Sequence, residues 1–307
     1  MSLTTSSVTA AWFLDGVAKL QRAQVKTQKE ISSGYRVQDA ADSPEQTREL
    51  VGLVSSFSVN QSWQSSLSRV QAEATSADNA LSVAIKLVES ARTLALQGAG
   101  SIPTASDRQV LAVQVKSIQE QIVSLANTTT EGRFIFGGDQ DLSAPYQLNP
   151  ANTSGVDKLT TQTSTRVIPD PAGQPVYKSA TAADIFDPRD QAGAPLPDNT
   201  FVALQSLLAS LQNNDPAGIS TALQSLKSVS DRLNQKQSVY GFALNRITAE
   251  LTNAQSESTT LQTQISAIRD TDVVKAASDL SAENIAQSAA FSAQARISGK
   301  SLFDYLG

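Results

Sequence analysis

The sequence predicts a mainly α fold with a β-rich insertion: a long antiparallel helical bundle, or coiled-coil rod, built from the N- and C-terminal regions, with a small β domain at its tip. Three observations carry this. From Ile219 to Ile268 a seam recurs at alternating steps of four and three, through Leu226, Leu233, Tyr240, Ile247, Ala254 and Leu261 at one edge of the heptad. Such a stripe is the signature of a helix that packs lengthwise on another. A second seam at the same spacing, Trp63, Leu67, Val70, Ala74, Ala77, Leu81, Ala84, Val88, Ala91 and Ala95, supplies the partner. Its many alanines let a neighbouring helix come close. Between the two, residues 139–199 turn rich in Pro, Gly, Thr, Asp and Asn, with apolar residues in short runs only.

Taken in order, residues Ser2–Ser33 read as a helix with a weak stripe at Trp12 or Phe13, Val17, Leu20, Val25 and Ile31. Gly34 is placed to take the left-handed conformation that ends helices. Ser43 with Gln46 forms a capping box and Pro44 suits the first helical position, so a second helix starts there. It runs to the stop at Gly98, Gly100 and Pro103. Ser106 with Gln109 offers another capping box for a third helix carrying Leu111, Val115, Ile118, Ile122 and Leu125 on one side. Gly132-Arg133-Phe134-Ile135-Phe136-Gly137-Gly138 is a short apolar run bracketed by glycines, which suggests a strand or hairpin edge.

In the insertion apolar residues come in the short runs Thr165–Ile168, Val176–Tyr177 and Ile185–Phe186, whose recurrence reads as a small β-rich region with long loops, and Asp170-Pro171-Ala172-Gly173 reads as a turn. Asp187-Pro188-Arg189-Asp190 reads as a surface turn. Helix resumes at Phe201–Leu211, breaks at Asn213-Asn214, and restarts at Asp215-Pro216, a capping carboxylate followed by proline. A helix from Pro216 to Ile268 spans roughly 80 Å at 1.5 Å per residue. The register breaks at Asp270-Thr271-Asp272, and a last helix carries Val273, Val274, Ala277, Leu280, Ile285, Ala289 and Ile297 before Leu302-Phe303-Asp304-Tyr305-Leu306.

Composition narrows the chemistry. The chain has 307 residues with no cysteine and no histidine. Thiol nucleophiles, disulfides, the usual zinc ligands and the commonest general base are therefore missing. No nucleophile, base and oxyanion donor can be assembled, so an enzyme is the weakest reading. No catalytic residue, cofactor or metal ligand is assigned: Gly137-Gly138 lacks the Gly-Lys-Ser/Thr of a phosphate loop, and Asp270 and Asp272 read as a solvated break between helices. The formal charge of −5, with no Lys/Arg block, argues against nucleic acid. No segment is apolar for long enough to span a membrane. Met1–Asp15 lacks a signal-peptide pattern, so the expectation is a protein that stays in the cytoplasm or leaves it without a cleaved signal.

Three stretches carry a family resemblance. Ile31-Ser32-Ser33-Gly34-Tyr35-Arg36-Val37 with Ala41-Asp42-Ser43-Pro44 is similar to the "LSSGxRI…DDP" signature of the flagellin superfamily. Gly132 to Gly138 is similar to "GxYLFGG", and Asp270-Thr271-Asp272 through Ser281 to Leu306 to "ETDxAxAxSxL…SLFDYL". The chain thus resembles the flagellin superfamily, and within it the hook–filament junction proteins, whose mark is the proline at Pro44. Arg133 and Ser43 depart from the pattern, where an aromatic residue and a second Asp are usual. Residues of the insertion match nothing in it.

The resemblance implies a structural protein of the bacterial flagellum, outside the cell and exported without a cleaved signal peptide through the flagellar export channel. It implies three layers: terminal helices 1–40 and 270–307 as an inner assembly domain, disordered in the monomer; a helical rod of 41–138 and 200–269; and the outer insertion 139–199. The implied partners are a ring of like subunits, hook-associated protein 1, flagellin, and a FlgN-like export chaperone, with neither nucleic acid nor membrane. The expected assembly interface is Phe13, Leu20, Ile31, Val273, Leu280, Ile285, Leu302, Phe303, Tyr305 and Leu306. A flagellin filament subunit, and from a different class a coiled-coil signalling rod, are the competing readings.

Overall fold

A computed structural model describes residues 3–38, 43–161, 165–170 and 173–303, with side chains described between residues 10 and 296. The chain is mostly helical, with small hairpins in its middle region. It divides into two compact units, Met1–Ser62 with Gln255–Gly307, and Trp63–Ala254.

In the larger unit the two predicted seams meet. Helices α1 (Leu3–Ser33) and α2 (Pro44–Ala99) precede the middle region, and α6 (Pro216–Arg269) follows it. Both α2 and α6 begin at the predicted prolines. Ala217 donates to the Asp215 side chain at 3.1 Å, as the capping reading requires. From Trp63 onward α2 runs antiparallel to α6: Gln64 Nε2 donates to the Ala254 carbonyl at 3.0 Å, and Ser230 Oγ donates to Glu89 at 2.6 Å. Leu67, Leu81, Val88, Leu226, Leu233 and Ile247 are fully buried between them. Ser230 is a polar layer in this stripe, and its hydroxyl, with Arg92, holds the Glu89 carboxyl below its ordinary range.

The stop of α2 is built by a side chain the sequence reading passed over. Buried Arg108 donates to the Gly98 and Gly100 carbonyls, each at 2.8 Å, satisfying groups that a helix end leaves open. Gly98 also lies against Leu211, where an added Cβ would stand 2.6 Å from Cδ2. Helix α3 (Ala105–Ala126) has its cap two residues before the expected one at Ser106. Its cap is Thr104 with Asp107, because a carboxylate at that spacing accepts the Thr104 N–H at 2.8 Å; Gln109 instead donates to the Gln212 carbonyl at 2.8 Å. Val115, Ile118 and Ile122 face inward as expected, and α3 packs on α5 (Thr200–Gln212), which Asn199 caps.

The middle region holds three two-stranded antiparallel sheets. Strands β1 (Thr129–Thr130) and β2 (Arg133–Phe134) form the hairpin expected at the glycine-bracketed run. Its turn residues Glu131 and Gly132 both take positive φ, 52° and 77°, the geometry that suits a two-residue hairpin. Strands β3 (Tyr146–Leu148) and β4 (Val156–Lys158) pair next, then β5 (Val167–Pro169) and β6 (Pro175–Lys178). Gly173 closes the last turn on the Asp170 carbonyl at 2.9 Å; Pro171 and Ala172 of that expected turn lie outside the described residues.

One of the short apolar runs is not a strand: Ile185–Phe186 ends a short helix, α4 (Ala182–Phe186), capped by Thr181. A bulky apolar pair looks the same in a buried helix turn as in a strand. One expectation fails here. Asp187, expected in a surface turn, is buried: it accepts from Tyr146 Oη at 3.1 Å and Asn199 Nδ2 at 2.6 Å, and pairs with Arg189. These contacts join the hairpins to α5, with Tyr146, Phe136 and Phe186 gathered around Phe201. Tyr177 reaches the other way, donating to Glu73 of α2 at 3.0 Å, and Glu73 also pairs with Arg166. Burial pushes the Tyr240 phenol beside it up to about 12.

Candidate assembly surface

The smaller unit consists of α1, the start of α2, the end of α6 and α7 (Val273–Phe303). A short clasp joins the two terminal helices. Gly34 takes the expected left-handed φ of 75°, which lets the chain turn out of α1. Tyr35 then bridges to Asp270, Arg36 N–H donates to the Arg269 carbonyl at 2.7 Å, and Thr271 N–H donates to Gly34 at 2.9 Å. The Arg269 guanidinium stands 4.4 Å over the Tyr35 ring, a cation–π geometry. Hydrogen bonds from Ser266 and Arg269 hold the Asp270 carboxyl below its ordinary range. Asp272 caps α7 through the N–H groups of Val274 and Lys275 at 3.0 and 3.1 Å. The two aspartates expected in a solvated break thus build a defined corner.

From that corner α1 and α7 run back antiparallel against each other. Along α1 a series of half-buried or buried positions runs through Phe13, Val17, Leu20, Gln24, Thr27 and Ile31, flanked by half-buried Ala18, Ala23 and Glu30; on α7 the described series is Ala276, Leu280, Glu283, Gln287, Ala290 and Gln294. Each set follows the four-and-three heptad, yet the α7 set is polar or small at almost every step. Gln24 Nε2 donates to Asn284 and Gln287 at 3.2 Å, Thr27 Oγ1 donates to Glu283 at 3.3 Å, and Phe13 meets Phe291 edge-on at 6.2 Å. The expected α1 stripe is corrected at one step: it passes through Gln24 and Thr27, and Val25 is 55% exposed.

The expected interface residues divide accordingly. Phe13, Leu20, Ile31 and Leu280 are half-buried in the register of the α1–α7 seam. Val273 and Ile285 stay exposed, Ile285 at 68%. Leu302 and Phe303 lie on α7 but their side chains are outside the described set, as are Tyr305 and Leu306 altogether. Sequence reading missed Leu14 and Phe291 as exposed apolar positions. It had placed Trp12 and Val274 in helix stripes, and among the described residues they are the most exposed large apolar side chains of the pair, at 79% and 82%. The signal that finds them is the polar heptad: once Gln24, Glu283 and Gln287 are recognised as the seam, these apolar residues fall off it.

A pair of terminal helices that buries polar groups and exposes apolar ones is suited to packing on further helices. Comparison with known proteins agrees in kind. The bacterial flagellin N-terminal helical region matches residues 7–141, and the bacterial flagellin C-terminal helical region matches residues 203–306. The chain belongs to the flagellin family. This is a structural family of the bacterial flagellum rather than an enzymatic one. Among relatives of this flagellin-family chain is the flagellar hook-associated protein 3 of Salmonella typhimurium, 23% identical over 203 residues, which cover 65% of this chain and 63% of that protein. The Escherichia coli protein of the same name is 24% identical over 201 residues, covering 64% and 62%. The match therefore spans a little under two thirds of the length of these curated relatives. In fold, the chain is similar to a flagellar hook-associated protein from Vibrio parahaemolyticus (TM-score 0.64, 19% identity, 74% of this chain and 99% of that one). It is also similar to the flagellar junction protein FlgL of Legionella pneumophila (TM-score 0.53, 13% identity, 73% and 98%).

Proposed function

We propose that this flagellin-family chain is the adapter of the hook–filament junction, linking the hook-associated protein layer to the flagellin filament. The observation that carries the reading is the terminal pair α1–α7, whose seam is interrupted by Gln24, Thr27, Glu283 and Gln287 while Trp12, Leu14, Val274 and Ile285 face outward. A single chain gains little by exposing such residues; a stack of like chains covers them, at on the order of 1.5–3 kcal/mol for each large apolar side chain fully buried. The relatives' name, hook-associated protein 3, supports the junction over the filament itself.

In this reading 1–40 and 270–307 form the inner layer, 41–138 and 200–269 the next, and 139–199 faces outward. Partners are like copies in a ring, hook-associated protein 1 on the hook side, flagellin on the other, and a FlgN-like chaperone before export without a cleaved signal. The test is a gene deletion with complementation. A junction adapter predicts intact hooks, flagellin released as monomers into the medium, and no filaments, all reversed by the restored gene. Filaments that persist in the deletion strain contradict the reading, and loss of the filament protein itself would make this chain the subunit.

A further inference from the structure

The outer side of α1, turned away from Gln24 and Thr27, carries Arg22, Lys26 and Lys29 at steps of four and three, with Arg36 beyond the helix end. All four are exposed, and among the described residues none forms an ion pair; the Arg36 guanidinium donates to the Ile268 carbonyl at 2.9 Å, and the cleft they make with exposed Val25 contains one carboxylate, Glu30. The three cations of the helix stripe repel one another, which an acidic surface laid over them would relieve. The neighbouring helix of the same unit has the opposite sign. From its cap to residue 283, helix α7 carries Asp272, Asp279 and Glu283 against Lys275; Glu283 accepts from Thr27, and Asp270 just before the cap is paired with Arg269. Asp272 and Asp279 are both exposed, and Asp279 has no partner among the described residues. Asp279 and Asp272 stand seven residues apart, as do Arg22 and Lys29, so both pairs are spaced roughly 10.5 Å along their helices.

We propose that the basic stripe Arg22–Lys26–Lys29 of one copy docks on the Asp272–Asp279 edge of α7 in a second copy. The contact is head-to-tail: each copy presents a basic side to one neighbour and an acidic side to the other. A contact of this type closes into a ring or continues as a helix. Apolar side chains supply the burial, and the charges set which face meets which and in what register. Carboxylates from any protein would suit the stripe chemically. A second copy is favoured because the matching spacing and sign lie on this chain's own exposed α7. The inference rests on the junction reading for its place in the cell.

Full-length chains with Lys26→Glu and Lys29→Glu, with Asp279→Lys, and with all three changes test it. None of these side chains has a bonding partner among the described residues, and circular dichroism checks that each variant folds. Sedimentation of purified chain at low salt reads self-association alone. The double charge reversal should weaken it at least about tenfold, and added salt should weaken the natural contact. The triple variant should regain it, because the two introduced glutamates then face the lysine that Asp279→Lys places on a neighbour. Filament attachment in the deletion strain should follow the same order. Unchanged self-association in the double reversal, or no recovery in the triple, overturns the contact whatever the chain's role. Double-reversal chains that self-associate normally but are not secreted would assign the stripe to an export partner and also overturn it. A deletion strain that keeps its filaments, with the sedimentation pattern intact, would instead fault the junction reading.

Discussion

At the scale of single residues, the deep seam is held by full burial and the shallow one is not. Ile247 has no exposed surface, whereas Leu280, a seam residue of α7, is only half-buried. Ile247→Ala should therefore lower unfolding stability by about 2–5 kcal/mol, the range for emptying a well-packed site. Urea denaturation checks it: the midpoint should fall with the slope unchanged. A shift too small to measure would mean that α2 and α6 do not pack there. Polar residues in the larger unit act differently from polar residues in the terminal pair. Arg108 and Asp187 are buried and fully engaged, one closing a helix end and the other tying Tyr146, Arg189 and Asn199 together. Gln24 and Gln287 share one long hydrogen bond at a half-buried site. Such a bond adds little net stability in water.

At the scale of elements, that difference makes the α1–α7 pair marginal by its own sequence. A heptad with glutamine and glutamate at inward positions fixes register at a cost in stability. Replacing Gln24 and Gln287 together by Leu should tighten the pair in the isolated chain, by on the order of 1–2 kcal/mol for two half-buried apolar side chains. Amide exchange across residues 13–31 and 276–294 reads this directly; no slowing would show that the seam is already firm. The same contrast explains what could be read from sequence. The α2 and α6 seams were legible because Leu, Ile, Val and Ala recur there without interruption, and the prolines at 44 and 216 mark real starts. On α1 the eye follows Val25, but geometry follows Gln24 and Thr27, since spacing and not polarity decides which side faces a neighbour. Thr104 with Asp107 was passed over for Ser106 with Gln109 because two capping patterns overlap, and only the position of Arg108 against the α2 terminus decides between them. Ile185–Phe186 could not be assigned to helix or strand from sequence because two residues carry no period.

At the scale of the molecule, one unit has its own core and the other, on the junction reading proposed above, is completed by neighbours. Trp63–Ala254 has one continuous apolar core shared by its helices and hairpins. The unit holding α1 and α7 has a seam interrupted by polar residues, an outward set of apolar side chains and, among the described residues, charges of both signs without ion pairs on opposite helices. Ordering of 1–40 and 270–307 should then depend on assembly, since elements with little buried apolar surface open at low free energy. Hydrogen exchange measured on the isolated chain and on chain assembled at the hook–filament junction tests this most directly. The account predicts that amides of α2 and α6 between residues 63 and 254 are protected in both, while those of α1 and α7 exchange quickly in the isolated chain and become protected only in the assembly. Equal, strong protection of α1 and α7 in the isolated chain would contradict it.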